Sequence, residues 1–423
     1  MYILTGKLLN RAGEALGLAY LPRDYLSFLK ASLMFAFGQT ICNTFVNTFL
    51  FQTGGGFTAV IRYNLLLYVF QILSYSTVAA LSGRVKPTSF TRLGIVMFAC
   101  AAVTLLVLGE RSGAYYPLIA VFVGIGGGAY WLPYYIFSVS FTTPANHQYA
   151  LSANGMISTV IYSASPALSG FIISRLPGLT GYMTVFAVAI AAFLCAVVMS
   201  FKIPSDLSRE NPLPGLFRRY KRDRALWSFI AGEILHGVRD GAFMFYLTTL
   251  LFAMVTSELA VGLTMTARSI MSIIVYKSLI AGSAPRERML PVIAVTAAGL
   301  IFTGGLHIWF TVAAIVTYSI FNAVMQSFVQ NGVQYTTFEL CGYFSRDGTP
   351  RAYGVTAVRS IALDIGRVAG ISFMLLFPPG LDSAVTILFI LSLAGFPMVF
   401  FYRYCSRLCS LSNMTDSDVL SDG

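Results

Sequence analysis

The feature that most restricts the fold of this chain is a series of twelve long apolar windows separated by short breaks. They lie at about residues 26–51, 56–82, 89–109, 114–141, 147–174, 180–202, 225–251, 257–281, 289–306, 309–337, 352–377 and 382–403. A helix needs about 20 apolar residues to cross the hydrocarbon core of a bilayer, whereas a barrel strand needs only about ten. The pattern therefore predicts an all-α membrane protein with twelve transmembrane helices.

The composition excludes the other classes of protein. Hydrophobic residues make up 57% of the 423 residues and charged residues only 11%, whereas about a quarter of a soluble domain is charged. Disordered chains are poor in apolar residues, and the six cysteines are too scattered for a disulfide scaffold. We conclude that the chain is a polytopic membrane protein.

The distribution of basic residues predicts the orientation in the membrane. With a cytoplasmic N-terminus, 21 of the 28 Lys and Arg lie on the cytoplasmic side, Arg111 and Arg175 lie outside and the other five lie within windows. This asymmetry follows the positive-inside rule and predicts a multi-pass protein with both termini in the cytoplasm. The short loops and short tail suggest the plasma (inner) membrane. Basic loops that contact anionic lipids also explain the net charge of +11 without a nucleic-acid partner.

The windows divide into two sets of six at a polar stretch that contains three prolines and a basic cluster. We expect an amphipathic segment 1–24, a six-helix bundle 25–202, a cytoplasmic linker 203–224, a second six-helix bundle 225–404 and a cytoplasmic tail 405–423. An irregular tail is the alternative for residues 1–24. A short basic loop follows the second window of each half, and two equivalent bundles are typical of one large class of transporters.

Two motifs extend this likeness. Ser82-Gly83-Arg84-Val85-Lys86 keeps the basic character of a Gly-x-x-x-Asp-Arg-x-Gly-Arg loop but lacks its acidic residue. Ser165-Pro166-Ala167-Leu168-Ser169-Gly170 is similar to a Gly-Pro-x-x-Gly-Gly segment found in exporters, with two serines in place of glycines. With its architecture, the chain resembles a divergent member of the major facilitator superfamily. The resemblance implies two bundles around a central cavity that opens to each side in turn, and a slight preference for export. It also implies an inner gate at the basic loops, at Arg84, Lys86, Arg286 and Arg288.

Ionisable residues within the windows are functional candidates, because a charge deep in a bilayer is costly. The seventh window carries Glu233, His236 and Asp240 on one helical face, with Arg239 beside Asp240 as a possible partner. A buried carboxylate near a guanidinium can bind and release a proton, although a structural ion pair explains the same residues. The candidates for proton coupling are Asp240, Glu233 and Asp364.

The eleventh window has a similar set of charges. Asp364 and Arg367 are three residues apart and can pair on the helix, which leaves Arg359 to find an acid in the seventh window or an anionic substrate. Across all windows five Arg face three acids, an excess compatible with an anionic or zwitterionic substrate. The candidates for substrate binding are Arg239, His236, Arg359, Arg268, Arg62, Asn43, Gln326 and Gln330.

Amide side chains form two ladders at helical spacing, Gln39, Asn43 and Asn47 in the first window and Asn322, Gln326, Gln330 and Gln334 in the tenth. Such amides either line an aqueous cavity and bind substrate or join neighbouring helices. The length of both ladders favours the cavity.

The sequence as a whole predicts a monomeric secondary active transporter for a small solute, driven by protons. The three histidines lie on separate segments and no Cys-x-x-Cys pair occurs, so we expect neither a metal site nor a cofactor. A lipid-modifying enzyme would need a nucleophile or a paired acid and base near a membrane interface. The sequence shows no such group clearly, so this function is not favoured. A facilitator without proton coupling and a transporter-like receptor or scaffold without flux are the alternatives.

Overall fold

The computed structural model describes residues 21–141, 147–204, 221–280, 289–344, 352–378 and 381–421. These residues form fourteen α-helices, which we number in chain order. They are α1 Arg23–Leu50, α2 Gly56–Leu81, α3 Pro87–Leu108, α4 Tyr116–Ser140, α5 His147–Arg175, α6 Thr180–Ser200, α7 Arg224–Phe243, α8 Tyr246–Val255, α9 Glu258–Ile280, α10 Met289–Gly305, α11 Val312–Phe344, α12 Ala352–Met374, α13 Leu381–Ser392 and α14 Gly395–Ser421.

The helices confirm the all-α architecture of twelve spans. Ten windows correspond to one helix each, and the seventh and twelfth are each built from two helices, α7 with α8 and α13 with α14. The largest shift of a boundary is in α14, which ends at Ser421 rather than near residue 403, and α11 ends at Phe344 rather than near residue 337. Within the described residues, nine segments are long and apolar enough to cross a membrane, and α10 contains a shorter apolar helix.

Local sequence determines where several helices begin and end. The Asp223 carboxylate caps α7 by accepting hydrogen bonds from the backbone N–H groups of Ala225 and Leu226, at 2.8 and 3.1 Å. Pro87 is the first residue of α3, where its missing N–H costs nothing. Thr256 adopts a left-handed conformation with φ of 51° and ends α8.

The packing of the helices repeats between the halves. In the first half α1 packs on α5 and α6, α4 packs on α2 and α3, and α3 packs on α6. In the second half α7 packs on α12 and α14, α11 packs on α9 and α10, and α10 packs on α13. Each of these five contacts of the first half has its counterpart six spans later, as expected for two equivalent six-helix bundles.

The most extensive contacts between the bundles are made by two helix pairs, α5 with α9 and α2 with α12. In the first pair the Thr266 hydroxyl donates to the Ser163 carbonyl at 2.6 Å, and the Ser269 hydroxyl donates to the Tyr162 carbonyl at 3.0 Å. In the second pair the Arg367 guanidinium lies over the Tyr68 ring, 4.9 Å from its centre. These two seams form most of the interface between the bundles.

The predicted ends of the domains are only partly within the described residues. Of the amphipathic segment 1–24 and the linker 203–224, the structure describes residues 21–24, 203–204 and 221–224. The predicted tail 405–423 continues α14 as far as Ser421 instead of leaving the last span. The domain boundaries otherwise stay predictions.

Candidate functional site

The close approach of α7 and α12 creates the central charged site. Gly237 and Gly241 on α7 face Gly366 and Gly370 on α12, and a Cβ at Gly237 would overlap the carbonyl oxygen of Leu363. Small residues four apart let two membrane helices approach this closely. These glycines are not among the residues predicted above, although Gly-x-x-x-Gly spacing on both helices was the signal that could have identified them.

Asp240 lies at the centre of the first of two ionic clusters between these helices. Arg367 donates to Asp240 Oδ2 from Nε at 3.0 Å and from a terminal nitrogen at 2.6 Å, and Gln326 donates to Oδ1 at 2.9 Å. Arg367 also donates to Asp364 Oδ1 at 2.9 Å, so the pairing predicted within α12 is confirmed. Asp240 therefore has three donors, whereas Asp364 Oδ2 is buried and has none among the described residues.

Arg239 does not pair with its neighbour Asp240. Its guanidinium donates to the side-chain oxygens of Asn322, at 2.5 Å, and Gln326, at 3.2 Å, and it lies 4.5 Å from the centre of the Phe243 ring. Successive residues of a helix point about 100° apart, so Arg239 faces α11 while Asp240 faces α12. The expectation of an Arg239–Asp240 pair is wrong for this reason.

The second cluster contains Glu233, His236 and Arg359. Arg359 Nε lies 3.3 Å from Glu233 Oε1 and its terminal nitrogen donates to Gln334 Oε1 at 2.9 Å. His236 Nδ1 lies 3.9 Å from Glu233 Oε2. Glu233 and His236 are fully buried, and no described residue makes a hydrogen bond of good geometry to either carboxylate oxygen or either ring nitrogen. The expectation that Arg359 finds an acid in the seventh window is confirmed.

The amide ladder of α11 joins helices. Asn322 and Gln326 bind Arg239, Gln326 also binds Asp240, and Gln334 binds Arg359. The contacts of these three amides therefore match the alternative in which amides join helices rather than the favoured cavity. Gln330 of this ladder and Asn43 of the ladder on α1 are half-buried, and their predicted role in substrate binding stays a prediction.

The remaining basic candidates lie away from both clusters. Arg62 is exposed on α2, and Arg268 is half-buried on α9 with its guanidinium 3.3 Å from the Met265 sulfur. Arg84 and Lys86 are exposed between α2 and α3, while the predicted gate residues Arg286 and Arg288 lie outside the described residues. The windows of the sequence contain five Arg against three acids, and Arg62 is one of these five but is exposed. Of the other four, Arg239, Arg359 and Arg367 equal in number the acids Glu233, Asp240 and Asp364. Among the described residues this leaves Arg268 as the excess positive charge.

The first bundle contributes an aromatic-lined cavity of about 20 Å³, enough for one water molecule. Its walls come from α1, α4 and α5 and consist of Ser32, Phe35, Ala36, Tyr130, Trp131, Tyr134, Asn154, Ser158 and Tyr162. The Asn154 amide donates to the Tyr134 hydroxyl at 2.7 Å. None of these residues was predicted, because aromatic residues in an apolar helix look the same whether they face lipid or a cavity.

The bundles also meet at the end of the molecule where α1 finishes, which we call the Gln52 end. Glu258 Oε1, at the start of α9, accepts from the Gln52 amide at 2.9 Å and from the Tyr182 hydroxyl at 3.0 Å. A cavity of about 420 Å³ lies beside this contact, lined by Gln52, Thr53, Glu110 and Leu179. One carboxylate oxygen of the second bundle thus holds two elements of the first.

Comparison with known proteins gives two relatives by sequence, and no protein-family model matches the chain. "Uncharacterized protein YqgE" of Bacillus subtilis is 25% identical over 403 residues, which cover 93% of this chain and 92% of that protein. "Uncharacterized protein in sodM 3'region" of Geobacillus stearothermophilus is 30% identical over 184 residues, 43% of this chain and 86% of that protein.

Solved transporters share the fold at much lower identity. A bacterial homologue of the iron transporter ferroportin, in an inward-facing state, has a TM-score of 0.66 at 13% identity and covers 91% of this chain and 98% of its own. The POT family transporter PepTSo has a TM-score of 0.67 at 9% identity, covering 92% and 99%. The Escherichia coli fucose:proton symporter FucP has a TM-score of 0.60 at 13% identity, covering 90% and 98%.

Proposed function

Because the chain belongs to the same family as the Geobacillus stearothermophilus protein and has the fold of the major facilitator superfamily, we propose that it is a secondary active transporter for a small solute. The observation that carries this proposal is the buried ionic site of α7 and α12 beside the seam with α2. Charges inside a membrane bundle are costly and mark ion or substrate pathways by default. Because Arg367 contacts both Asp240 and the Tyr68 ring of the other bundle, relative motion of the bundles would act directly on an ion pair.

We propose further that transport is coupled to protons and that Glu233 is the main proton carrier. Asp240 has three donors, so a proton there would displace at least one existing hydrogen bond. No described residue donates a hydrogen bond of good geometry to Glu233, and its ion-pair partner Arg359 has Gln334 as a second partner when Glu233 is neutral. His236, 3.9 Å away, is a base that could pass the proton on. Asp364, whose Oδ2 has no hydrogen-bond donor among the described residues, is the second candidate.

Two features support the direction and the orientation that we propose. The exporter-like segment Ser165–Gly170 lies on α5 at the seam with α9, where Gly262 and Gly170 allow close backbone contact. This supports export as the working direction. The end with Arg84 and Lys86 is proposed as cytoplasmic from the distribution of charge.

A flux experiment tests the proposal. The purified chain is reconstituted into liposomes that contain a pH-sensitive dye, and monosaccharides, dipeptides, organic acids and Fe²⁺ are added in turn. A coupled transporter gives a proton flux with at least one solute. Solute flux that does not depend on pH would identify an uncoupled facilitator instead, and binding without flux would identify a receptor or scaffold.

The role of Glu233 is tested with that solute. Glu233→Gln should abolish accumulation driven by a pH gradient but retain exchange of labelled for unlabelled solute, because exchange needs no net proton transfer. Asp24→Asn, which removes an exposed carboxylate at the start of α1, is the matched control and should retain both. Accumulation by Glu233→Gln at the level of the parent chain would refute the assignment.

A further inference from the structure

Arg268 lies on the face of α9 that points into the molecule. Large apolar side chains mark the lipid side of this helix, with Leu263 55% exposed, Ile270 44% and Ile274 53%. The opposite side is buried, at Val261, Thr264 and Val275. At 100° per residue Arg268 falls among these buried positions, so its side chain starts from the interior side of α9.

The depth of Arg268 places it near the middle of the membrane. It is the eleventh residue of α9, so it lies about 15 Å from the first residue at 1.5 Å per residue. The hydrocarbon core is about 30 Å thick. Arg268 therefore cannot reach either surface easily, unlike a basic residue near the end of a span.

Arg268 differs from the other interior guanidiniums in its partners. Arg359 and Arg367 each contact a carboxylate, and Arg239 is bound by two amide oxygens. The partner given by the structure for Arg268 is the Met265 sulfur, a weak acceptor, at 3.3 Å. A guanidinium at this depth needs water or an anion.

The aromatic cavity of the first bundle includes a residue, Tyr162, whose backbone contacts the turn of α9 that carries Arg268. Tyr162 of α5 is on the inward side of its helix, beside the buried Ser165 and Ser169, yet 39% of its surface is exposed. An inward residue can be that exposed only if it faces an internal opening. The Tyr162 carbonyl accepts from Ser269, the residue after Arg268. The opening and the guanidinium therefore lie at the same level of the α5–α9 seam.

We propose that Arg268 binds the negative group of a small organic anion whose apolar or aromatic body packs against the exposed face of Tyr162, at the mouth of the aromatic cavity, because the cavity itself holds one water molecule. This inference rests on the proposed transport function and assigns its substrate class. The planar guanidinium suits carboxylate, sulfonate or phosphate groups, and the tyrosine ring provides an apolar surface for the body. At this seam the described residues offer the anion a cation without a protein counter-ion.

Binding of three ligands of nearly equal shape to the purified full chain tests the charge preference. The probes are benzenesulfonate, which is always anionic, benzenesulfonamide, which is neutral at pH 7, and the cation benzyltrimethylammonium, with affinity measured by titration calorimetry. Benzenesulfonate should bind best in the parent chain. Arg268→Gln should weaken its binding on the order of ten- to a hundredfold, as expected for a hydrogen bond to a charged group, and leave benzenesulfonamide unchanged.

Matched variants make the result specific. Arg403→Gln removes an equal charge from an exposed site on α14 and should leave all three affinities unchanged. Arg268→Lys keeps the charge but loses the planar fork, so its affinity should be intermediate and provides a second test if the glutamine variant does not fold. Tyr162→Leu should weaken the binding of both benzenesulfonate and benzenesulfonamide.

The outcomes separate this inference from the proposed function. Absence of benzenesulfonate binding in the parent chain, or equal binding in Arg268→Gln, would overturn the anion site, whatever the flux experiment gives. Binding that depends on Arg268 without flux of any solute would support the anion site and refute transport.

Discussion

Replacing Gly237 by alanine should separate α7 and α12 and disturb the ion pairs between them. The new Cβ would lie 2.8 Å from the backbone nitrogen of Arg367 and 2.9 Å from the Cα of Gly366, in addition to overlapping the Leu363 carbonyl. These neighbours are backbone atoms of a helix, so none of them can rotate away as the end of a side chain could. The helices themselves must move.

The size of the effect follows from these distances. Ordinary contacts of a Cβ begin near 3.4 Å, and the overlap with the Leu363 carbonyl is the most severe of the three, so the helices must move apart by about 1 Å, enough to lose up to half of the dispersion energy across the contact. Overpacking of this kind costs about 1–3 kcal/mol. The same movement lengthens the 2.6 Å contact of Arg367 with Asp240, whose strength depends on close geometry.

Thermal unfolding of the purified chain in detergent, at one scan rate, measures this effect as a lower apparent melting temperature. The matched control is Gly342→Ala in α11, where a Cβ meets no atom within 4 Å. Alanine is favoured over glycine within a helix by about 0.8–1 kcal/mol, so the control should melt at the same temperature or slightly higher. Equal melting temperatures for the two variants would refute the close approach of α7 and α12.

Arg367→Gln should lower stability by about 3–5 kcal/mol, because it leaves the buried carboxylates of Asp240 and Asp364 without their guanidinium. Adding Asp240→Asn should recover part of that loss in a double-mutant cycle of melting temperatures, and strictly additive losses would contradict the pairing. Glu258→Gln should weaken the contact at the Gln52 end, because a neutral amide oxygen is a poorer acceptor than a carboxylate. This is measured in a chain that carries Thr53→Cys, as the rate of labelling by a water-soluble maleimide after subtraction of the labelling of the parent chain's own cysteines. Adding Glu258→Gln should make this labelling faster. An unchanged rate would argue that Glu258 does not hold the Gln52 end together.

The spans and one ion pair could be predicted because they depend on distances along a single helix. The thickness of the hydrocarbon core determines the length of each window, whatever the helix packs against. Asp364 and Arg367 are three residues apart, so the geometry of α12 alone brings them together at 2.9 Å. The partner of Arg359 was predictable only as a class, an acid from the seventh window, because a buried guanidinium needs a counter-ion.

The error arose where the choice depends on neighbouring helices. Adjacent residues in the sequence suggested a pair between Arg239 and Asp240, but these side chains point to different helices and have different partners. Gln326 bridges these two residues, and its predicted contact with substrate stays a prediction. An amide on the inner face of a helix can bind a substrate or a side chain of a neighbouring helix equally well, so composition could not decide between these two roles.

The amino-acid sequence by itself determined that this chain crosses a membrane many times in two equivalent halves, because hydrocarbon admits only long apolar helices with all backbone groups paired. Only the tertiary structure decided which charges are neutralised. Glu233 meets Arg359 across 126 positions of the chain, and Glu258 meets Gln52 across 206. Contacts over such separations depend on which helices pack together and on the glycines that let α7 and α12 approach, and these same contacts leave Arg268 as the interior guanidinium bound only by a sulfur among the described residues.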